Sequence, residues 1–568
     1  MKEKVSSIVV QYLEGFTKEE VLKLMEVPPI QDLGDFALPC FQMAKRLRKS
    51  PDMIANELKM QIEQKETSQV IHEMKVLHGY LNFYLNRNYH IKMIITNSLK
   101  DSYGRSKIGD GETICIDYSS PNIAKNFHVG HLRTTLIGNS LAKIYEKLGY
   151  HVVRINYLGD WGTQFGKLIV AFKNWSSKEK VEQKGIEELL RIYILFTNEE
   201  EKNPDLLNEA RIWFAKMESG DKEALSIWRW FKEISLVEYE RIYKLLGVQF
   251  DCYSEESFYQ NQVASLVEKL KGKDLLMESQ GANIVSLDQY EMPPCLITKM
   301  DGSTIYTSRD LAAVLERKEK YNFKKCLYVT GLEQKLHFGQ VFKVIELMGY
   351  EWSKDLVHVP YGLVSLGGEK LSTRNGTIIY AEDILNEAIK RSKDMIEEKN
   401  PNLENKDLIA KKVGIGAIIY HDLYNQRIKN IDFKWEEVLN FNGATGPYIQ
   451  YTYARAKSIL HKVAEIDYED IIIKYSFDIL SDSLSYSLLK VIEQYPEKIL
   501  DAARNNEPSI ISRYVYTLAS VFNKFYGECN IINEVSSVKE PRLLVVYLTQ
   551  KILNDAMLLL GIECPEVM

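Results

Sequence analysis

Residues 113–158 constrain the fold of this chain more than any other stretch. TICIDYS at 113–119 is a compact apolar run, the pattern of a buried strand. The loop SPNIAKNF follows. Leu132, Leu136, Ile137, Leu141, Ile144, Tyr145 and Leu148 then fall on one helical face, and Gly149 stops the helix. HVVRINYL at 151–158 is the next strand. Strand, helix and strand of this length make a right-handed βαβ unit, the start of an open parallel sheet. KKCLYVTG at 324–331 and LVHVPYGLVSL at 356–366 regain strand character, so the sheet resumes after a polar, helical insertion at about 175–290.

The 568 residues leave room for about three to four domains. DSYGRSKIGDGE at 101–112 carries three glycines and reads as a linker. Before it, Val5, Ile8, Val9, Tyr12, Leu13 and Phe16 have helical spacing, AKRLRKSPDMIANELKMQ is a basic helix broken at Pro51, and VIHEMKVLHGYLNFYLN alternates like two strands. From about 381 the pattern is helical to the end. The expected fold is therefore multidomain α/β: an α+β N-terminal domain over 1–108, a Rossmann-type parallel-sheet core over 109–380, a helical connecting region over 381–440 and an all-α helical bundle over 441–568. No apolar run approaches the roughly 18 residues of a membrane span. The opening MKEKVSSIVVQYLEGF is amphipathic rather than secretory. A cytoplasmic location with no membrane partner is expected. The seven cysteines stand singly with no C-x-x-C pair, so reduced thiols are expected, with no zinc or other bound metal.

The sequence at 128–131 is HVGH, where a loop enters a helix. A helix N-terminus offers unpaired N–H groups and a positive dipole end, which suit phosphates. Gly130 leaves room for a flat ring against the backbone. His128 and His131 share the first turn and can donate to phosphate oxygens as charge develops. With 10 His and 31 Gly in the chain, chance yields only about 0.01 copies of H-x-G-H. A second basic motif follows a predicted strand at 367–377, GGEKLSTRNGT, in which Lys370, Ser372 and Arg374 can approach departing phosphates. Alone such a loop is most often a solvated turn; paired with HVGH across two halves of a parallel sheet it specifies a nucleotide site.

The pair resembles the two signature motifs of class I aminoacyl-tRNA synthetases. SSPNIAKNFHVGHLRTTLIGN, NYLGDWGTQFG at 156–166, IYTSRDLAA at 305–313 and ATGPYIQYTYAR at 444–455 resemble the arginyl-tRNA synthetase family, as do LGDFALPCFQMAKRL at 33–47, GYLNFYL at 79–85 and the ending LLLGIECPEVM. The resemblance spans nearly the whole chain. It departs at Asn126, where the family commonly has Pro, and at Thr373 and Asn375, where lysines are common. Lys370 is left as the one lysine of that loop, and Arg374 is expected to share its electrostatic task. The rivals are a small-molecule nucleotidyltransferase, a non-catalytic tRNA-binding paralogue and a synthetase for another amino acid. The first leaves both terminal regions without a role, intact HVGH, Lys370 and the Tyr306/Asp310 pair oppose the second, and the third would be favoured by a neutral or basic residue at 310, where this chain has Asp.

The resemblance implies ligation of L-arginine to tRNA(Arg) with ATP as its Mg²⁺ complex and no prosthetic group. His128, His131 and Lys370 would be catalytic, and His128, Gly130, His131, Lys370, Ser372 and Arg374 would bind ATP. Asp310 and Tyr306, one helical turn apart, would take the guanidinium, the carboxylate accepting and the ring stacking. Asn122, Gln334, Asp117 and Glu256 complete the implied arginine set. For tRNA, the implied sites are Lys45, Arg46, Arg48 and Lys49 in the N-terminal domain and Tyr448 and Tyr451 in the anticodon-binding bundle, with Lys411, Lys412, Arg427 and Lys429 along a stem. The net charge of −6 argues against broad coating of RNA. Residues 441–568 hold 12 Lys+Arg, 16 Asp+Glu and 11 Tyr, which favours reading splayed bases by stacking. More than half of those tyrosines are expected in the bundle core. A monomer is expected.

Overall fold

The βαβ unit expected from residues 113–158 forms the centre of the fold. In the computed structural model, which describes residues 1–65, 69–299, 304–366, 369–370, 380–463 and 467–568, β1 (Thr113–Asp117), α1 (Val129–Lys147) and β2 (His151–Leu158) follow in that order. β3 (Cys252–Glu255) continues the sheet beyond β2. β4 (Lys325–Gly331) and β5 (Leu356–Tyr361) continue it on the other side of β1. All the pairings are parallel, in the order β3-β2-β1-β4-β5. The winding reverses between β1 and β4, and ligands of such sheets bind beyond the carboxyl ends of the strands at that point. Ile114, Cys115 and Ile116 are all buried, as a strand covered on both faces requires. α1 lies so close that a Cβ on Gly138 would meet Tyr118 Cγ at 2.2 Å.

Two details differ from the sequence reading. β3 lies inside the 175–290 stretch read as a helical insertion. Its residues CYSE are few and largely polar, so no apolar run announces an edge strand. The 356–366 run is also not one strand. Gly362 passes so near Lys429 that a Cβ would lie 2.6 Å from that residue's backbone, and β6 (Val364–Leu366) departs into a separate sheet with β7 (Glu369–Lys370) and β8 (Ile431–Phe433).

The insertion supplies α2 (Lys222–Leu246), begun by Asp221 accepting from Ala224 N at 2.9 Å and ended by left-handed Gly247. α3 (Tyr306–Tyr321) and α4 (Lys335–Leu347) flank β4, and α5 (Ala381–Lys399) and α6 (Lys406–Tyr424) come between β7 and β8 in the chain. The chain forms two compact units. One comprises 1–103, 456–494 and 520–552; the other comprises 104–455, 495–519 and 553–568. In the first, Tyr80–Leu85 pairs antiparallel with both Phe36–Pro39 and Ile71–Leu77. Pro51 opens the helix Pro51–Lys65, a position where its missing N–H is harmless. Beyond Thr445 the described elements are all helical and are divided between the two units. Among the described residues no helix is long and apolar enough to cross a membrane.

Candidate active site

A cavity of about 600 Å³ opens at the carboxyl ends of β1 and β4. Asp117 reaches it from the end of β1, Asn122 from the following loop, and His128, Gly130 and His131 from the start of α1. Glu256 follows β3, Tyr306 and Asp310 stand on α3, and Gln334 precedes α4; all line the same space. The structure thus brings together residues that are more than 200 positions apart in the chain. Lys370 belongs to β7, paired opposite Ser365, next to Val364 of the cavity wall. Ser372 and Arg374 lie outside the described residues.

His128 is the N-cap of α1. Its Nδ1 accepts from Gly130 N at 3.0 Å, and His131 Nδ1 accepts from His128 N at 3.4 Å. A nitrogen that accepts an N–H carries no proton, so both rings hold theirs on Nε2. The rings stack with centroids 3.8 Å apart. Burial, reinforced by the Lys125 ammonium, holds His128 down at about 4 and His131 well below the usual imidazole range. Both are neutral donors at pH 7. A Cβ on Gly130 would come within 2.9 Å of His128 Cε1, so glycine here also makes room for the imidazole itself. The turn is fastened to the segment after the second motif: Ala381 N donates to Phe127 O at 3.0 Å, and Tyr380 bridges His128.

Asp117, Glu256 and Asp310 each meet an internal partner. Asp117 Oδ2 lies 2.8 Å from Arg317 Nη1, and Asp117 Oδ1 accepts from Ser120 Oγ at 2.8 Å. Glu256 Oε2 lies 3.1 Å from Arg309 Nη2, whose guanidinium stands 5.1 Å over the Tyr306 ring. Asp310 Oδ2 lies 2.5 Å from His337 Nε2. Asp310 is therefore engaged across the cavity, and Ser308 closes the start of α3 by accepting from Ile305 N. Burial pushes Asp117 up against the pull of Arg317, and raises Glu256 to about 8 against the pull of Arg309. Asn122 packs where a Cβ on Gly159 would strike its Oδ1 at 2.0 Å.

Arg309, Arg317, His337 and Lys125 are absent from the sequence-derived set. Helical spacing puts Arg317 on the cavity stripe with Tyr306, Asp310 and Ala313, but nothing local marks Arg317 or Arg309 as buried. Lys125 stands in the loop SPNIAKNF, where no spacing singles it out.

The other sequence-derived residues lie elsewhere. Lys45 and Arg46 sit in the helix Phe41–Leu47, and Arg48 ends it in the left-handed conformation. With Lys49 they are exposed. Arg46 stacks 4.3 Å over Phe16 and pairs with Glu20 at 3.0 Å, and Lys49 pairs with Glu57. Tyr448 and Tyr451 stand on the helix Gly446–His461. Tyr451 is 41% exposed, with the Arg455 guanidinium 4.8 Å from its ring, and Tyr448 lies 5.9 Å from the ring of Tyr516. Tyr453, Tyr486, Tyr495 and Tyr514 are buried. Lys412 pairs with Glu563 at 3.0 Å, and Arg427 donates to Pro360 O at 2.6 Å.

Comparison with known proteins matches the profile described as tRNA synthetases class I (R), catalytic domain, over residues 91–435. It also matches the DALR anticodon binding domain over 449–568 and the arginyl tRNA synthetase N terminal domain over 1–85. Arginine--tRNA ligase of Alkaliphilus metalliredigens is 50% identical, covering 100% of this chain and 99% of that protein. The Clostridioides difficile protein of the same name is 49% identical, covering 99% of each. Among solved structures, Thermus thermophilus arginyl-tRNA synthetase superposes with a TM-score of 0.83 over 100% of both chains at 24% identity, a likeness of fold.

Proposed function

The chain belongs to the arginyl-tRNA synthetases of class I, and from that premise we propose how its own residues carry out the family's two-step reaction. It is an arginine–tRNA ligase. Arginine is activated by ATP to arginyl-adenylate and then transferred to the terminal adenosine of tRNA(Arg), releasing AMP. The observation that carries the assignment of roles is the meeting, in one cavity, of guanidinium-matching carboxylates and a pair of neutral imidazoles.

In this reading Asp310 and Glu256 accept the substrate's guanidinium N–H groups and Tyr306 packs on its plane. Asn122 and Gln334 hold its backbone groups. Asp117, matched by Arg317, supports the pocket from beneath. Lysine lacks the forked donors, and citrulline would set its ureido oxygen, an acceptor, where a carboxylate needs an N–H. Unpaired buried polar groups give selectivity on the order of 10⁴.

ATP enters as its Mg²⁺ complex, the ion held by phosphate oxygens and water. A carboxylate oxygen of arginine attacks the α-phosphorus in line, and the bond to the bridging oxygen breaks as pyrophosphate leaves. His128 and His131 donate from Nε2 to the oxygens that gain charge. Lys370 supplies a cation, shared with Ser372 and Arg374 of the same loop. Lys125, three residues before His128 in the loop that enters α1, supplies another. Positioning and electrostatics suffice, with no protein nucleophile. The 2′-hydroxyl of the terminal adenosine then attacks the arginyl carbonyl, and AMP departs.

Residues 1–108 and 441–568 are assigned to tRNA contact, through Lys45, Arg46, Arg48 and Lys49 on phosphates and Tyr448 and Tyr451 on bases. Residues 109–380 form the catalytic domain and 381–440 the connecting region. A cytoplasmic monomer is proposed. Pyrophosphate exchange with each amino acid, with and without tRNA(Arg), tests the reading. Exchange should require arginine, and exchange with any other amino acid alone would overturn it.

A further inference from the structure

The loop between β1 and α1 carries Asn122 and Lys125 and ends at His128, and its backbone is strained. Ser119, Ser120 and Ala124 have φ of +71°, +46° and +61°. Non-glycine residues enter this left-handed region at a cost, and persist there only when their surroundings over-determine them. Ser119 and Ser120 are held by Thr134, Thr135, Asn156 and Asp117, but at Ala124 the surroundings belong to α2, more than 100 residues further along the chain. Ser235, Tyr239 and Tyr243 recur on one face of that helix at four-residue spacing, and all are buried.

Ser235 Oγ accepts from Ala124 N at 3.0 Å while donating to Phe231 O at 2.8 Å. The Tyr239 hydroxyl donates between the carbonyls of Asn122 at 2.7 Å and Lys125 at 2.6 Å. The Tyr243 hydroxyl lies 2.7 Å from Ser119 Oγ and accepts from Asn156 Nδ2 at 3.0 Å. Backbone groups on both sides of the strained Ala124 are thus held by one helix of the insertion.

We propose that Tyr239, assisted by Ser235, is a positioning residue for arginine activation: its hydroxyl fixes the carbonyls of Asn122 and Lys125, on either side of Ala124, and so sets the places of the Asn122 amide and the Lys125 ammonium. The inference rests on the arginine-activating reading of the cavity. Without the hydroxyl, two buried carbonyls lose their donor, and Ala124 is released toward the ordinary φ range, carrying both side chains with it. The guanidinium contacts proposed for Glu256, Tyr306 and Asp310 lie on other elements and should be kept, so most of the substrate affinity should survive while the alignment that Asn122 gives the substrate's backbone is lost and the rate falls.

The test uses the full chain with tRNA(Arg) present. Arginine-dependent pyrophosphate exchange is measured for wild type, Tyr239→Phe and Ser235→Ala, with rates normalised by active-site titration and thermal unfolding run alongside. Tyr239→Phe should lower kcat about tenfold, with arginine and ATP KM within about twofold of wild type. Lys125→Met should cost less in the Tyr239→Phe background than alone, because the two act through one loop. A wild-type kcat in Tyr239→Phe, a deficit that vanishes on normalisation, or strictly additive costs with Lys125→Met would overturn the positioning role. Failure of the wild type itself to exchange pyrophosphate with arginine would instead overturn the reading of the cavity.

Discussion

Arg317 holds its Nη1 2.8 Å from Asp117 Oδ2, with both side chains almost wholly buried beneath the cavity. The guanidinium carbon lies 5.1 Å and 5.4 Å from the rings of Tyr157 and Tyr328. With Arg309 on Glu256 and His337 on Asp310, three acidic residues of the pocket have internal partners. That matters because an uncompensated buried charge is strongly destabilising. A pocket built to receive a cation must survive the cation's departure, and these pairs allow it.

Arg317→Met should therefore destabilise the catalytic core by about 3 kcal/mol near neutral pH, since it leaves Asp117 buried without its partner. The deficit should shrink in acid, where a protonated Asp117 needs no cation. Denaturation by urea at neutral and mildly acid pH, followed by tryptophan fluorescence, measures both. Equal deficits at both pH values would show that the variant loses packing rather than charge.

The sequence makes the βαβ unit, HVGH and the carboxylates legible because each rests on local spacing or on a long motif. It hides the cations that match those carboxylates. Arg309 and Arg317 stand in RDLAAVLERK, which reads as a helix with a solvated charged face, yet they are only 5% and 2% exposed. Burial of a charge depends on what meets it from β1 and β3, and no periodicity within α3 carries that information. β3 is hidden for a related reason: an edge strand of four residues needs neither length nor an apolar face when β2 supplies its hydrogen bonds.

Arginine use should depend on pH through Glu256. Its carboxyl sits at about 8 in the empty pocket, so below that it is mostly protonated, and a guanidinium binds the ionised form better. Binding must release a proton, and the arginine KM should fall as pH rises from about 6 to about 8, then level off. His128 and His131, held lower by burial, stay neutral across this window. Glu256→Gln should raise KM and flatten the profile. A wild-type KM already flat between those pH values would show Glu256 to be ionised throughout.

Lys370→Ala should slow adenylate formation by about 3 kcal/mol, the usual cost of removing one group that meets transition-state charge. Arginine KM should hardly move, because the lysine's proposed partner is pyrophosphate. Single-turnover formation of the adenylate gives the rate directly. An unchanged rate removes Lys370 from the mechanism.

Asp310→Asn should lower kcat/KM for arginine by about 3 kcal/mol, the upper range for one hydrogen bond to a charged group. His337→Asn should do less harm, since Asp310 keeps its charge when its internal partner is lost. Steady-state exchange with arginine compares the two. If Asp310→Asn keeps wild-type kcat and KM, its carboxylate serves His337 alone.

Arg133 supplies the last prediction. Its Nη1 donates to the carbonyls of Gly362 at 3.0 Å and Leu363 at 3.3 Å, and its Nη2 donates to those of Arg427 and Lys429 at 3.0 Å each. Residues 362–363 lead into β6, whose partner β7 contains Lys370, and residues 427–429 lead into β8 on the other side of β6. Arg133 is two residues beyond His131, so a single guanidinium ties the histidine turn to the sheet that carries the second motif. The bond from Ala381 N to Phe127 O ties the same turn to the segment beyond that motif. A lysine in its place keeps the charge but presents one compact head, which cannot serve both segments at once. Each buried carbonyl then left without a donor costs about 1–3 kcal/mol. Arg133→Lys should fold with a lowered Tm, and its exchange kcat should fall more steeply than its arginine affinity, because adenylate formation needs both motifs in register whereas guanidinium binding needs neither. Arginine binding by calorimetry beside exchange kinetics separates the two effects. A lowered Tm with full exchange activity would leave Arg133 a structural tie with no part in aligning the two motifs.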